Sequence, residues 1–175
     1  MTTIEELKSK IGYLANPWKF NPEQSFNNAV QWTVKLRNMG FYLFSPILHT
    51  HPFWVKLHWW QQDEQFGAAS IIDKTVSNYL KNEDWITWDL RIIDGFAAHD
   101  GFEKLHGEGT YDSKLFMLMD KSAFTLKPVD HIMEIGMKNV YWHSQGCRQE
   151  YEKAKAEHIQ IFELQAMLNG ELKEL

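Results

Sequence analysis

Ile11-Gly12-Tyr13-Leu14-Ala15-Asn16-Pro17 is the stretch that sets the fold. Its apolar residues stop at Asn-Pro, the pattern of a short buried strand that runs into a loop. Asn21-Pro22-Glu23-Gln24 then opens a helix, with Asn21 as cap, Pro22 in the first helical position and Gln24 placed for a capping box. Phe26, Ala29, Val30, Thr33, Val34 and Arg37 follow at helical spacing, and Gly40 supplies the stop. Phe41 to Ser45 reads as a second strand, ended by Pro46. Strand, helix and strand within about thirty-five residues is the unit that gives two parallel strands and a right-handed crossover.

The same alternation continues along the chain. Ala68 to Leu80 reads as a helix. So does Trp85 to Phe96, with Trp85, Trp88, Ile92, Ile93 and Phe96 three or four residues apart. Ala97 to Asp112 reads as a loop. Leu115 to Met119 is a continuous apolar run, hence a buried strand. Lys121 to Tyr141 reads as an insertion with a short helix near Val129 to Met137. Gln145 to Glu157 is helical, Ile159 to Phe162 is a strand, and Glu163 to Leu172 closes the chain as a helix. The expected architecture is a single α/β domain over residues 1–175. It has three Rossmann-like or flavodoxin-like layers and a mostly parallel sheet of about five strands. Ligands of such sheets bind beyond the carboxyl ends of the strands. The loops there are 16–21, 46–53 and 120–146.

Composition narrows the partners. The chain has 175 residues, a net charge of −5 and no basic stripe, which argues against a nucleic-acid polymer as ligand. A single cysteine, Cys147, excludes a disulfide framework or a thiolate metal cluster within one chain. Residues 1–10 lack the apolar centre of a signal peptide, and no apolar run approaches the ~20 residues of a membrane span. The expectation is a cytoplasmic protein with no membrane partner. Eight Trp and eleven Phe predict self-association as a homodimer or higher homo-oligomer. For each of Trp54, Trp59, Trp60, Trp85 and Trp88 the plain reading is core or interface, and stacking on a base is the alternative.

Three groups of residues carry possible chemistry. Ser144 is placed as a helix N-cap, leaving amides near Gly146 and Cys147 where the helix dipole favours an anion. Gly146, Glu150 and Ala154 lie four apart on one face, so small residues flank the Glu150 carboxylate. By spacing alone, a solvated glutamate on a surface helix is the plainer reading of Glu150. Asp89 lies in an apolar stripe, where burial raises a carboxyl pKa and makes a proton donor. An aspartate at a helix edge, satisfied by water or a backbone amide, is its plainer reading. Asp94, which closes the same helix, is read as structural or capping. His49, His51 and His58 lack a third ligand at zinc spacing, so they are read as lining a pocket or contacting phosphate, with no metal and no cofactor.

These residues resemble a known family. Tyr13-Leu14-Ala15-Asn16-Pro17 is similar to the Y-L-A-G/S-P opening of the nucleoside 2-deoxyribosyltransferase-like superfamily. That group includes the deoxynucleoside 5′-monophosphate N-glycosidases. Phe44-Ser45-Pro46-Ile47-Leu48-His49-Thr50-His51-Pro52 resembles the second-strand loop of an uncharacterised bacterial and phage branch. Trp88-Asp89-Leu90, with Ile93-Asp94, resembles the family's aspartate helix. Ser144-x-Gly146-x-x-x-Glu150, with Ala154, resembles its nucleophile helix.

The resemblance implies Glu150 as nucleophile on the anomeric carbon, Tyr13 as its hydrogen-bonding guide and Asp89 as the acid near the base. It implies a small-molecule nucleotide or nucleoside held by Ala15, Asn16, Pro17, Ser45, His49, Ser144 and Gly146. The implied reaction is hydrolysis of the N-glycosidic bond of a (deoxy)nucleoside 5′-monophosphate. Base exchange between deoxynucleosides and nucleotide binding without cleavage are the alternatives. Two departures stand out: segments 97–112 and 121–141 are longer than the family's loops, and Asn16 stands where the family often has Gly or Ser.

Overall fold

The computed structural model describes residues 2–18, 21–49, 82–98, 114–126 and 140–175; at 82–85 and 96–98 it describes the backbone alone. The expected helix over 68–80 and most of the 97–112 loop lie outside these residues, as does the helix expected near 129–137. The described elements in order are α1 (Ile4–Leu7), β1 (Ile11–Ala15), α2 (Pro22–Asn38), β2 (Tyr42–Phe44) and α3 (Asn82–Ala98). Then come β3 (Leu115–Met119), a 3₁₀ turn (Lys121–Ala123), β4 (Phe124–Leu126), β5 (Val140–Trp142), α4 (Gln145–Ala156), β6 (Gln160–Glu163) and α5 (Leu164–Leu168).

The main sheet runs β2-β1-β3-β6, and every pairing in it is parallel. Four strands build it among the described residues, where about five were expected. The outer edge of β6 is taken by the segment after Gly170. Phe162 and Glu174 form an antiparallel bridge there. The 121–141 segment also differs from expectation, because its described ends pair as the antiparallel strands β4 and β5. The closing helix is shorter than expected. It ends at Leu168 because Gly170 takes a positive φ of 78°, and Glu171 N–H and Gly170 N–H close back on Ala166 and Met167 carbonyls.

Helices cover both sheet faces. Tyr13, Ala15, Leu115, Met117, Met119 and Ile161 point to one side, where Ile93 of α3 and Cys147, Tyr151 and Ala154 of α4 meet them. Leu14, Phe116, Leu118 and Phe162 point to the other side, against Leu7, Ala29, Leu36, Leu164 and Met167. Adjacent residues thus go to opposite cores, as the period of two in a strand demands. That is why β1 and β3 read as unbroken apolar runs.

Helix α2 forms largely as its sequence predicts. The Asn21 side chain accepts the Gln24 amide at 3.1 Å, but the Gln24 side chain turns to Asn28 and leaves the capping box half made. At the far end, Gly40 at φ 96° turns the chain so that buried Phe41 can return its amide to the Leu36 carbonyl.

Gly12 is required by packing. A Cβ there would stand 2.6 Å from Leu43 Cδ2 and 2.8 Å from Phe116 Cζ. Phe116 is fully buried and has little room to yield. Gly12→Ala is therefore expected to destabilise the chain by roughly 1–3 kcal/mol, the usual cost of overpacking. Urea denaturation measures this, and an unchanged midpoint would contradict the packing described here.

Candidate active site

Chain order reverses between β1 and β3. In parallel α/β sheets such a switch point opens a crevice at the strands' carboxyl ends. Asn16 and Asp120 stand at those two ends. Asp120 caps the following 3₁₀ turn by accepting the Ser122 amide at 3.2 Å. Its own amide bonds to the Ala15 carbonyl at 3.0 Å and ties the two strand ends together. The Ala123 carbonyl next accepts the amides of His143 and Ser144 at 2.8 and 3.2 Å. These bonds seat the start of α4 beside the end of β3.

Ser144 caps α4, its Oγ accepting the Cys147 amide at 3.3 Å. The helix then carries Cys147, Glu150, Tyr151 and Ala154 inward at three- and four-residue spacing. Glu150 is 8% exposed, so it is no solvated surface residue. The Tyr13 phenol, from the middle of β1, donates to Glu150 Oε1 at 2.8 Å across 137 positions of sequence. The sheet's pleat points Tyr13 to the α4 side, and the helix period returns Glu150 to the same spot.

Asp89 reaches this pair from α3 and is itself buried. α3 packs directly on α4, and an ion pair between Asp94 and Lys153 joins the two helices. Asp94 therefore has the structural role that its position suggested.

The electrostatics follow from burial. Desolvation raises Asp89 to about 7. Desolvation and then the charge of Asp89 raise Glu150, against hydrogen bonds from the Tyr13 phenol and the Cys147 thiol, to about 8. Tyr13 is pushed well above the ordinary phenol value by burial, then by Glu150 and Asp89. It is a hydrogen-bond donor at every physiological pH. Both carboxyls are therefore raised toward neutrality, and near pH 7 the pair retains at least one proton. Burial thus raises Glu150, which the resemblance implies as the ionised nucleophile, as well as Asp89, which it implies as the acid.

The other site residues expected from the sequence divide into two sets. Ala15 is buried beside Tyr13 in the α3/α4 core. Ser144 and Gly146 are half-buried at the start of α4. A Cβ on Gly146 would sit 3.9 Å from Ser144 Oγ and 4.0 Å from Ile86, ordinary contacts, so packing does not force a glycine there. Asn16, in contrast, directs its amide toward α2, donating to the Ser25 carbonyl at 3.5 Å, on the opposite side of the sheet from Glu150. Its Oδ1 and the buried Ser45 Oγ have no hydrogen-bond partner among the described residues. Pro17 is half-buried. His49 is exposed and stacks on Phe44 (4.8 Å between ring centroids), and Phe44 in turn lies 5.7 Å from the Tyr13 ring. It stands two rings away from the carboxyls. His51, His58, Trp54, Trp59 and Trp60 lie outside the described residues, as does the side chain of Trp85. Trp88 is 61% exposed. Among the described residues no group of three or more His, Cys, Asp or Glu is arranged to hold a metal.

Two neighbours of the site escaped the sequence reading. Cys147 precedes Glu150 by three residues on the same helical face, a spacing that would have marked it. Asp120 is near enough for its charge to add to the rise in the Cys147 thiol pKa, which burial and then Glu150 dominate. A polar residue directly after the apolar β3 run was the available signal.

No family model matches this chain, and neither a curated protein nor a solved structure matches it. Among the described residues no helix is long and apolar enough to cross a membrane.

Proposed function

We propose that this chain is an N-glycosidase that hydrolyses the N-glycosidic bond of a (deoxy)nucleoside 5′-monophosphate, with Glu150 as nucleophile. One observation carries the reading: the buried Tyr13–Glu150 hydrogen bond, with a second buried carboxyl, Asp89, close enough to raise Glu150. The sheet order β2-β1-β3-β6, with helices on both faces, supports the flavodoxin-like layout that the resemblance implies.

Cleavage of an N-glycosidic bond passes through an oxocarbenium-like state. It needs a carboxylate at the anomeric carbon and a proton for the departing base, the division of labour of retaining glycosidases. Glu150 attacks C1′ and the bond to the base breaks, its electron pair leaving with the base nitrogen. Asp89 supplies the proton to that nitrogen. Water then displaces Glu150 from C1′, losing its proton to Asp89, so that both carboxyls return to their starting states.

The reactive arrangement has Glu150 ionised and Asp89 protonated. The Tyr13 hydrogen bond favours the ionised Glu150 of this arrangement. Base exchange would follow the same steps with a free base in place of water.

Incubation with each deoxynucleoside 5′-monophosphate, with and without added free base, tests the proposal. Free base and sugar phosphate without an acceptor is the expected result. Turnover only with added base would assign exchange instead. Binding without any turnover would leave a nucleotide-binding protein.

Tyr13 gives a second prediction. Tyr13→Phe removes the phenol that favours ionised Glu150, so the Glu150 pKa rises further. The expected result is a fall in kcat of roughly 10–100-fold, with the bell-shaped pH–rate profile displaced to higher pH. A lower rate with an unmoved profile would reduce Tyr13 to a packing residue.

A further inference from the structure

The outer edge of β6 is occupied in an unusual way. Every other pairing in the main sheet is parallel, yet the segment after Gly170 turns back and lies antiparallel on β6. The Glu163 amide donates to the Lys173 carbonyl and the Leu175 amide to the Ile161 carbonyl, both at 2.8 Å. The Glu163 carboxylate is buried and clamped by Lys121 at 2.5 Å and Lys173 at 3.0 Å. Lys155 Nζ donates to the Leu175 carbonyl at 3.2 Å. Leu172 and Leu175 rest partly buried against the two cores, one on each side of the sheet.

We infer that residues 171–175 are an edge guard, which occupies the seat that β6 of a second copy of this chain would otherwise take. Geometry selects that occupant. Two copies related by a two-fold axis through this edge would bring their β6 strands together antiparallel, the direction the tail already adopts. The groups at stake are the Glu163 amide and Ile161 carbonyl, which point outward and, if bare, form a template for pairing. The tail satisfies both with main-chain bonds that a partner strand would reproduce. Its attachment is short: one ion pair, two such main-chain bonds, the Lys155 bond to Leu175, and the packing of Leu172 and Leu175 at the margins of the two cores.

Two altered chains test this against the unaltered one. The first is full-length with Lys173→Glu and Leu175→Pro, which sets a carboxylate against Glu163 and removes the Leu175 N–H. The second ends at Gly170. Circular dichroism checks folding, hydrogen exchange at the Glu163 amide reports whether the edge is bare, and sedimentation equilibrium measures association. The expected result is self-association to discrete dimers strengthened about tenfold or more. The Glu163 amide should become protected only as protein concentration rises, and a synthetic peptide of residues 169–175 should reverse both effects. Unchanged association in a folded chain with a freely exchanging Glu163 amide overturns the inference. So does open-ended aggregation, which is not two-fold pairing. Unfolding of the truncated chain, with the double variant still protected at Glu163, also overturns it, because the tail would then belong to the core.

Discussion

Glu150→Gln is expected to lower base release from deoxynucleoside 5′-monophosphates by roughly 10³-fold or more, the scale of losing a covalent nucleophile. Glutamine keeps the size of the side chain, and its amide oxygen can still accept the Tyr13 hydroxyl. It cannot attack C1′ as a carboxylate does. The fall should appear in kcat, with KM little changed, because the lost interaction forms only as the bond to the base breaks. The fold should survive, since a neutral amide at this buried position lacks the desolvation cost of a carboxylate. Intact-mass analysis of the unaltered chain during turnover should show a sugar-phosphate adduct that the variant never forms. Equal rates for the two chains would remove Glu150 from the reaction and end the proposal.

The second large effect concerns stability. Folding raises the pKa of Asp89 to about 7 and of Glu150 to about 8, from ordinary values of about 4. Between the ordinary and the raised values the folded chain binds more protons than the unfolded one. Stability must therefore fall as pH rises through that window. Each shift caps its own contribution at on the order of 4 kcal/mol, a sizeable share of the ~5–15 kcal/mol that holds a domain folded.

Glu163 works in the opposite sense. Burial pushes its pKa up, but Lys121 and Lys173 outweigh burial and hold it below the usual carboxylate value. Its contribution is present at neutral pH and is lost as pH falls through its lowered pKa. Urea denaturation across pH 3–9 should show maximal stability near pH 4, a decline of several kcal/mol by pH 8.5, and a visibly flatter decline in Glu150→Gln. A curve that rises from pH 5 to 8 would refute the burial of these carboxyls. The same two groups predict a bell-shaped kcat/KM profile centred between pH 7 and 8.

How far the sequence could be read depended on the range of the interactions involved. β1, the Asn21 cap, the Gly40 stop, β3 and α4 were legible because each rests on neighbours within a few residues: an apolar run, a capping side chain, a helical face. The strands β4 and β5 were not legible. They pair across residues 127–139, and neither three-residue strand has a pattern long enough to show alternation. The end of the closing helix was misread because Glu163 to Leu172 has good helical composition. Gly170 and the tail's pairing with β6 overrode that preference.

At the site, the helical face shared by Gly146, Glu150 and Ala154 could be counted off the sequence, as could the apolar stripe around Asp89. Whether those carboxyls met solvent or each other could not. Residue identity and local spacing determined which side chains this chain can present together on one strand or one helix. The tertiary structure alone decided that Tyr13 meets Glu150 while Asn16 turns toward α2. That choice comes from the strand pleat and the packing of α3 on α4, and it joins residues that no local rule relates.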